Sequence, residues 1–364
     1  MTSWRQQKLV DIVTFRTGKL NSNAAVEEGK YPFFTCSQEI YKTNTWNFDT
    51  ECVLLGGNNA SAIYPIFYFK GKFDAYQRTY IIEPKYDNNI RYIYYLLREK
   101  LDELKTQSTG ATTKFLTLKI LNNIDVSVPE SFIQNKLVSV LSAYDDLIGI
   151  NEKRIKILEE ITERLYNEWF IKFKFPSYKK AKIFRDLPLG WSYGILGDRL
   201  KVFKGRNITE KTIISGDIPV VAGGLNPAYY HNVANVKGPV ITISASGANA
   251  GFVKLYYEDI WASDCSYINK DSNPSIYFYY LLLKAKTREI TNLQKGAAQP
   301  HVYPKDLTNL PIVTIPDQII IDFNSKVEPL FDLISNLHKQ IEKLVKTRDL
   351  LIPPLVTGKR VLND

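Results

Sequence analysis

The sequence predicts an α+β fold that is built twice. Two tandem, pseudo-repeated modules each carry a mixed α/β domain followed by a long helix. The two helices are expected to pair as an antiparallel coiled coil. Three observations predict this. Matching residues recur at one long offset, β-type runs precede a Tyr- and Leu-rich helical run in each copy, and each copy ends in a sustained apolar stripe.

The repeat comes first. Trp4 and Trp191, Leu9 and Leu196, Asp11 and Asp198, and Gly18 and Gly205 all stand 187 positions apart. Gly29 and Pro32 meet Gly216 and Pro219 at the same offset, as Val53 and Leu54 meet Val240 and Ile241. Farther along, small loop changes shift the match. Residues 94–97 parallel 279–282, Gly110-Ala111 parallels Gly296-Ala297, and 146–148 parallels 332–334. A period this long marks a duplicated half of the chain, not a solenoid of short repeats.

Strands are expected at Val53-Leu54-Leu55, across 63–69 and at Val240-Ile241-Thr242-Ile243, each bounded by Gly, Asn and Ser clusters. Helical runs follow around 89–105 and 275–290. The long helices are read from a seam whose steps alternate three and four. In the first copy it runs through Leu137, Leu141, Tyr144, Ile148, Asn151, Ile155, Leu158, Thr162 and Leu165. In the second it runs through Phe323, Val327, Leu330, Ile334, Leu337, Ile341, Leu344, Arg348 and Leu351. Asn151 at a seam position is the kind of residue that fixes register at a cost in stability. Pro329 is expected to kink or delay the second helix. Neither helix can hide its stripe alone, so the simplest solution pairs them. A helix of about 38 residues is about 57 Å long. Packing of each helix on its own module is the alternative. The expected division is 1–131 for the first domain, 132–175 for its helix and 176–190 for a linker. Then come 191–316 for the second domain, 317–357 for its helix and 358–364 for a tail.

The 364 residues have ordinary globular composition, 45% hydrophobic and 23% charged, which rules out a disordered or purely coiled-coil chain. Lys and Arg number 47 against 38 Asp and Glu, and the net charge of +9 suits a polyanionic partner. The three cysteines, Cys36, Cys52 and Cys265, have no CxxC spacing, and His231, His301 and His338 are scattered. Neither a disulfide framework nor a metal site is expected. No signal core or run of about 18 apolar residues stands out, so a cytoplasmic chain without a membrane partner is expected.

Enzyme motifs fail one after another. Asn226-Pro227-Ala228-Tyr229 is close to the Asn-Pro-Pro-Tyr loop of adenine methyltransferases but lacks the second proline. Gly358-Lys359-Arg360 lacks the rest of a phosphate loop. No Gly-x-Ser-x-Gly nucleophile turn is present. Asp74, Glu83 and Lys85 have the residue types of a metal nuclease, but the second copy does not keep them, and a strand-end turn reads better.

Equivalent polar loops stand out instead. One pair is 56–61, with Asn58, Asn59 and Ser61, and 244–249, with Ser246 and Asn249. The other is 107–114, with Thr109, Thr112, Thr113 and Lys114, and 294–301, with Lys295, Gln299 and His301. Glycine lets backbone approach a ligand closely. Asn, Gln, Thr and Lys carry the groups that read base edges. Arg78, Lys114, Lys204, Arg206 and Lys295 supply charge for phosphates. Ordinary solvated turns are the alternative for any one loop.

Together these residues resemble the specificity subunit of type I restriction–modification enzymes. The resemblance covers essentially the whole chain. It rests on the duplicated Trp…Leu-x-Asp…Gly opening, and on Thr109-Gly110-Ala111-Thr112 leading into Val126-Ser127-Val128-Pro129. It rests also on Gly296-Ala297-Ala298 leading into Ile312-Val313-Thr314-Ile315-Pro316, and on the segment from Leu165-Tyr166-Asn167-Glu168 through Trp169 and Phe170 to Phe173. Ser131-Phe132-Ile133-Gln134 departs from the Glu-Gln helix start common in that family, and Pro329 within the second helix is a separate departure.

The resemblance implies a non-catalytic subunit with no cofactor of its own. Two target recognition domains would each read half of a split site in double-stranded DNA, and the helices would set the gap. Two methyltransferase subunits would bring S-adenosylmethionine, and motor–nuclease subunits would use ATP and Mg2+. The alternatives are the recognition subunit of a combined restriction–methylation enzyme, a helical scaffold without DNA binding, and a stand-alone nuclease through Asp74, Glu83 and Lys85.

Overall fold

The structure, a computed structural model, describes residues 4–110, 112–176, 182–184, 186–296 and 299–360. Ala111, Ala297 and Ala298, which carry part of the resemblance, lie outside the described residues, as do parts of the expected linker and tail. The chain forms two compact units, one of residues 1–150 with 340–364 and one of 151–339.

Unit 1 starts with β1 (Trp4–Lys8), which pairs antiparallel with β10 (Asp125–Pro129), Trp4 opposite Pro129. Between them lie β2 (Val13–Thr17), β3 (Tyr31–Phe34), β4 (Tyr41–Thr43), β5 (Phe48–Gly56), β6 (Asn58–Asn59), β7 (Ile66–Ala75), β8 (Thr79–Pro84) and β9 (Lys114–Phe115). Six of these form one sheet in the order β2-β8-β5-β7-β3-β4. β3 runs parallel to β7, Phe33 opposite Asp74, and the other pairs are antiparallel. The central strand β5 is buried on both faces, because side chains alternate along a strand. Phe48, Cys52 and Leu54 enter one core, and Val53 and Leu55 enter the other. The expected strand 63–69 begins later and runs longer, as Ile66–Ala75; Ile63 is exposed in the preceding turn.

The helix Ile90–Glu99 is capped by its own Asn89, whose side chain accepts from the Arg91 and Tyr92 amides. Gln134 ties this cap to the first long helix, Ser131–Tyr166. Its amide oxygen accepts from Asn89 N at 2.8 Å, and its nitrogen donates to Asn88 and to the Pro129 carbonyl, each at 2.9 Å. The helix ends in one π-helical turn, Asn167–Ile171.

In unit 2 a short hairpin, β11 (Ile183–Phe184) with β12 (Leu187–Pro188), precedes the second module. Its strands are β13 (Ser192–Ile195), β14 (Phe203–Lys204), β15 (Ile218–Val221), β16 (Tyr229–His231), β17 (Val240–Ser244), β18 (Val253–Tyr256), β19 (Trp261–Ala262), β20 (Cys265–Asn269) and β21 (Pro311–Thr314). The order β14-β20-β17-β18 together with β19-β15-β16 repeats the first sheet. The repeat is split because the stretch matching β7 breaks into β18 and β19 at 257–260. Val220 lies parallel to Trp261 and Val221 to Ala262, each 187 positions after the pairs of Phe33 and Phe34.

The helix Ile276–Ala285 is capped from elsewhere: Asn324 accepts from the Tyr277 and Phe278 amides. The second long helix, Asp317–Val356, carries Asn324 and starts without delay despite Pro329 inside it. One correction concerns alignment. Arg98 lies over the Tyr94 ring and pairs with Asp349, and Lys284 lies over the Tyr280 ring and pairs with Glu163. The contacts therefore match Tyr94 to Tyr280, one residue beyond the match by sequence identity, because position along the helix is set by what it touches.

The seam accounts for part of the burial along both helices; Phe331, Ile352, Leu355 and Val356, off the seam, are buried as well. Leu137, Leu141, Ile148, Ile155, Phe323, Val327, Ile334 and Leu337 are buried, and Leu158, Leu165, Ile341 and Leu344 are half-buried. Ile150, Ile157 and Ile161, off the seam, stay exposed.

Candidate nucleic-acid interface

In the first module the two polar loops chosen from sequence come together. β6 pairs with β9, Asn58 opposite Phe115 and Asn59 opposite Lys114. The Leu116 amide donates to Gly57 O at 2.8 Å, and the Tyr80 hydroxyl donates to Leu116 O at 2.8 Å. Thr109 and Phe115 exchange two backbone bonds, closing 109–115 into a tight loop. Gly110 makes that closure possible. Its φ is +109°, and a Cβ there would sit 2.0 Å from Thr113 O. Thr109 and Thr112 are exposed, and Thr113 and Lys114 half-exposed. Asn59 is spent on its own turn, accepting from the amides of Ser61 and Ile63. The Asn58 Oδ1 is buried and finds no hydrogen-bond partner among the described residues. Arg78 joins from the β7–β8 turn, its guanidinium carbon 5.3 Å from the centre of the Phe115 ring.

The second module builds the same loop from other residues. Lys295 and His301 exchange two backbone bonds 186 positions after Thr109 and Phe115. Gly296 matches Gly110, with φ +99°. The Gly247 amide donates to Pro300 O at 3.0 Å and the Val302 amide to Ala245 O at 3.0 Å, which brings 244–249 against 294–302. The Ser246 hydroxyl bonds Asp264, and the His301 ring stacks on Tyr303 at 5.8 Å. Gln299 is exposed and Asn249 half-buried. Lys295 is not a free charge, since it pairs with Asp306 at 2.5 Å. Exposed Lys204 and Arg206 lie beside the loops, with Arg206 N bonded to Ala262 O at 2.9 Å.

Sequence reasoning missed three parts of these clusters. Lys19 occupies the Arg206 position, its amide on Ala75 O at 3.1 Å. The turn after β3 enters through Cys36, whose thiol donates to Arg78 O, and Gln38, which donates to Ile63 O. The turn after β15 enters through Gly223 O, which accepts from Ser244 Oγ at 3.0 Å, and Leu225 O, which accepts from Lys254 Nζ at 3.1 Å. The fixed offset of 187 from Arg206 could have found Lys19; it maps the two turns only onto each other.

Groups that might do chemistry are otherwise engaged. Asp74 is fully buried and accepts from Thr45 and Asn47. Glu83 accepts from Arg16 and Thr50, each at 2.8 Å, and Lys85 donates to Val10 O. Burial pushes the Cys36 thiol up and takes Cys52 and Cys265 up to about 12, so all three are thiols at neutral pH. Among the described residues no group of three or more His, Cys, Asp and Glu side chains could hold a metal. Nor, among them, is any helix long and apolar enough to cross a membrane.

Two modules of one topology, each closing on a glycine-hinged cluster of hydrogen-bonding loops, define a duplicated recognition protein. The chain belongs to the family of type I restriction–modification specificity subunits: the model of the type I restriction modification DNA specificity domain matches it twice, at residues 1–160 and 188–343. The specificity subunit of the type I restriction enzyme EcoDI of Escherichia coli is 25% identical over 381 residues, covering 93% of this chain and 83% of that one. The MjaIX specificity subunit of Methanocaldococcus jannaschii is 31% identical over 296 residues, covering 74% and 68%. The crystal structure of a type I restriction-modification system S subunit from M. genitalium shares the fold, with a TM-score of 0.64 at 15% identity over 100% of this chain and 97% of that one.

Proposed function

We propose that this chain reads a split, asymmetric site in double-stranded DNA. Residues 1–131 read one half and 191–316 the other. The helical stretches 132–175 and 317–357 pair antiparallel and fix the unread gap. The observation that carries this reading is one loop architecture built twice from different side chains. Thr109, Thr112, Lys114 and Arg78 face the first half-site; Ser246, Gln299 and His301 face the second. Different donors and acceptors on one frame select different bases. Lys204 and Arg206 contact phosphates.

Burial along both seams supports the helix pairing. So do contacts that join an early residue of one helix to a late residue of the other. Asp145 receives Arg348 at 2.6 Å, and Phe323 packs on Tyr166 and Trp169 at 6.2 and 5.4 Å. The chain carries out no chemistry in this reading. It docks two methyltransferase subunits, which use S-adenosylmethionine to modify adenine. Motor–nuclease subunits with ATP and Mg2+ complete the complex in the cytoplasm.

The test is genome-wide adenine methylation, mapped by single-molecule sequencing in cells with the partner methyltransferase, with and without this gene. A motif of two short halves around a fixed gap, lost on deletion, is expected. Deletion of seven residues from the first long helix should shorten the gap and leave both halves unchanged. A motif that keeps its gap would overturn the ruler, and methylation independent of the gene would overturn the whole reading.

A further inference from the structure

We infer that Arg78 is the residue by which the first module selects a guanine, presenting its guanidinium from the face of Phe115. The inference rests on the DNA-reading function proposed above and names one base class within it.

Arg78 sits in the turn between β7 and β8, where the Thr79 amide donates to Tyr76 O at 2.8 Å. Its backbone is held from two other loops. The Gly57 amide donates to Arg78 O at 2.8 Å, and the Cys36 thiol donates to the same oxygen at 3.5 Å. A Cβ on Gly57 would lie 2.5 Å from that oxygen, so this close approach needs glycine. The side chain is exposed yet supported, lying over a ring that is itself fixed on both sides. Phe115 is paired with Asn58 across one ladder and with Thr109 across the other.

Charge separates Arg78 from Arg16, Arg91 and Arg98 of its module, and its place over Phe115 in the loop cluster separates it from Arg5, which lies on β1. Arg16 faces Glu83, Arg91 faces Asp146 and Arg98 faces Asp349. Among the described residues no carboxylate pairs with Arg78, so its planar fork of donors is open to an outside acceptor. That fork matches the O6 and N7 acceptors of guanine in the major groove. Stacking on Phe115 holds the fork in plane before binding, which lowers the ordering cost. Half-buried Lys114, on the same ribbon, is a point charge better suited to phosphate.

The second module lacks this device. The position matching Arg78 is Cys265, buried with its thiol directed to Val221 O, and the residue before it is the carboxylate Asp264. The ring matching Phe115 is His301, which carries Tyr303 instead of a guanidinium. A guanine read in this way therefore belongs to one half-site only, and the other half-site is an internal control.

The test maps adenine methylation in cells carrying the partner methyltransferase with wild-type chain, R78K or R78A. Wild type should show a split motif with an invariant guanine in one half. In both variants preference for that guanine should fall about 5- to 150-fold, with the other half unchanged. R78A is decisive because it removes every donor; R78K keeps a charge that can still reach O6 or N7, so its loss should be the smaller of the two. A motif that keeps its guanine in R78A would make Arg78 a phosphate contact and overturn the inference. Loss of all methylation in both variants would assign Arg78 a structural role and overturn it too. Absence of any split motif with wild-type chain would overturn the DNA-reading function itself, and the inference with it.

Discussion

The two units share a topology but join their long helices in different chemistry. In unit 1 the joint is aliphatic and charged. Leu137, Leu141, Ile352, Leu355 and Val356 share one core, and Asp145 beside them binds Arg348 and the Tyr95 hydroxyl. In unit 2 the positions 186 away carry rings: Phe323 for Leu137, Tyr166 for Ile352, Trp169 for Leu355, Phe170 for Val356 and Phe331 for Asp145. Phe170 stands 4.9 Å from Phe278 and 4.8 Å from Phe323, and Phe331 stacks on Tyr277 at 4.5 Å. The lesson is that duplication has kept which positions are buried and exchanged what fills them. Each helix end fits its own joint in volume, so neither end could replace the other without leaving a cavity or an overlap.

The strongest way to break this comparison is to empty both joints. Phe323→Ala removes a ring packed against four others and should cost about 3–5 kcal/mol. Leu137→Ala should cost about 2–3 kcal/mol, because its aliphatic neighbours can relax into the space. Native-state hydrogen exchange should place the first loss in 151–339 and the second in 1–150 with 340–360. A larger cost for Leu137, or loss spread over both units, would show that the joints are not the separate cores described.

A smaller effect tests the loops, where the modules are more alike. Gly110→Ala and Gly296→Ala both force a side chain into the left-handed region, at a cost of about 1–3 kcal/mol. Gly110 is the tighter site, with a Cβ 2.0 Å from Thr113 O against 2.8 Å from Gln299 O for Gly296. Binding to a duplex carrying the target should fall about tenfold or more for Gly110→Ala and less for Gly296→Ala. Thermal unfolding of each unit should fall by about 2–4 °C for each kcal/mol of that strain. Equal losses would mean that the second loop is as constrained as the first.

Much of this was legible in the sequence, for physical reasons. The seams of the long helices were readable because a stripe sustained over 36 and 40 residues depends on local periodicity alone. Even Arg348, the one charged seam position in the second copy, is half-buried and finds Asp145. The loop pairs were readable because Gly110 and Gly296 mark one backbone conformation. The split of the second sheet was not, since it turns on a break at 257–260 in a stretch that resembles β7 by offset. Nor was the partner of Arg78, because Phe115 reaches it only through the β6–β9 ladder. The caps show the same limit: Asn89 before its helix is a local signal, whereas Asn324 caps from 49 residues beyond the matching residue, Ser275, through tertiary contact alone.

The smallest expected effect sharpens the comparison most finely, because here the modules place a cation over a tyrosine ring and against a carboxylate at equivalent positions. Arg98 meets Asp349 at 2.9 Å and Lys284 meets Glu163 at 2.6 Å, both cations lying over a tyrosine ring. Distance alone would favour the lysine pair. Setting argues otherwise: the Arg98 side chain is 20% exposed and Lys284 38%, and Asp349 also accepts from Arg348 at 2.9 Å. Solvent screens the more open pair, and the two-arginine network holds its carboxylate in place. Double-mutant cycles should give about 0.2–1 kcal/mol for each pair, Arg98–Asp349 near the upper end and Lys284–Glu163 near the lower. Both couplings should shrink in 1 M salt, the lysine pair more. If the lysine pair proves the stronger, contact distance outweighs burial at these joints, and the charged joint of unit 1 owes less to its network than its geometry suggests.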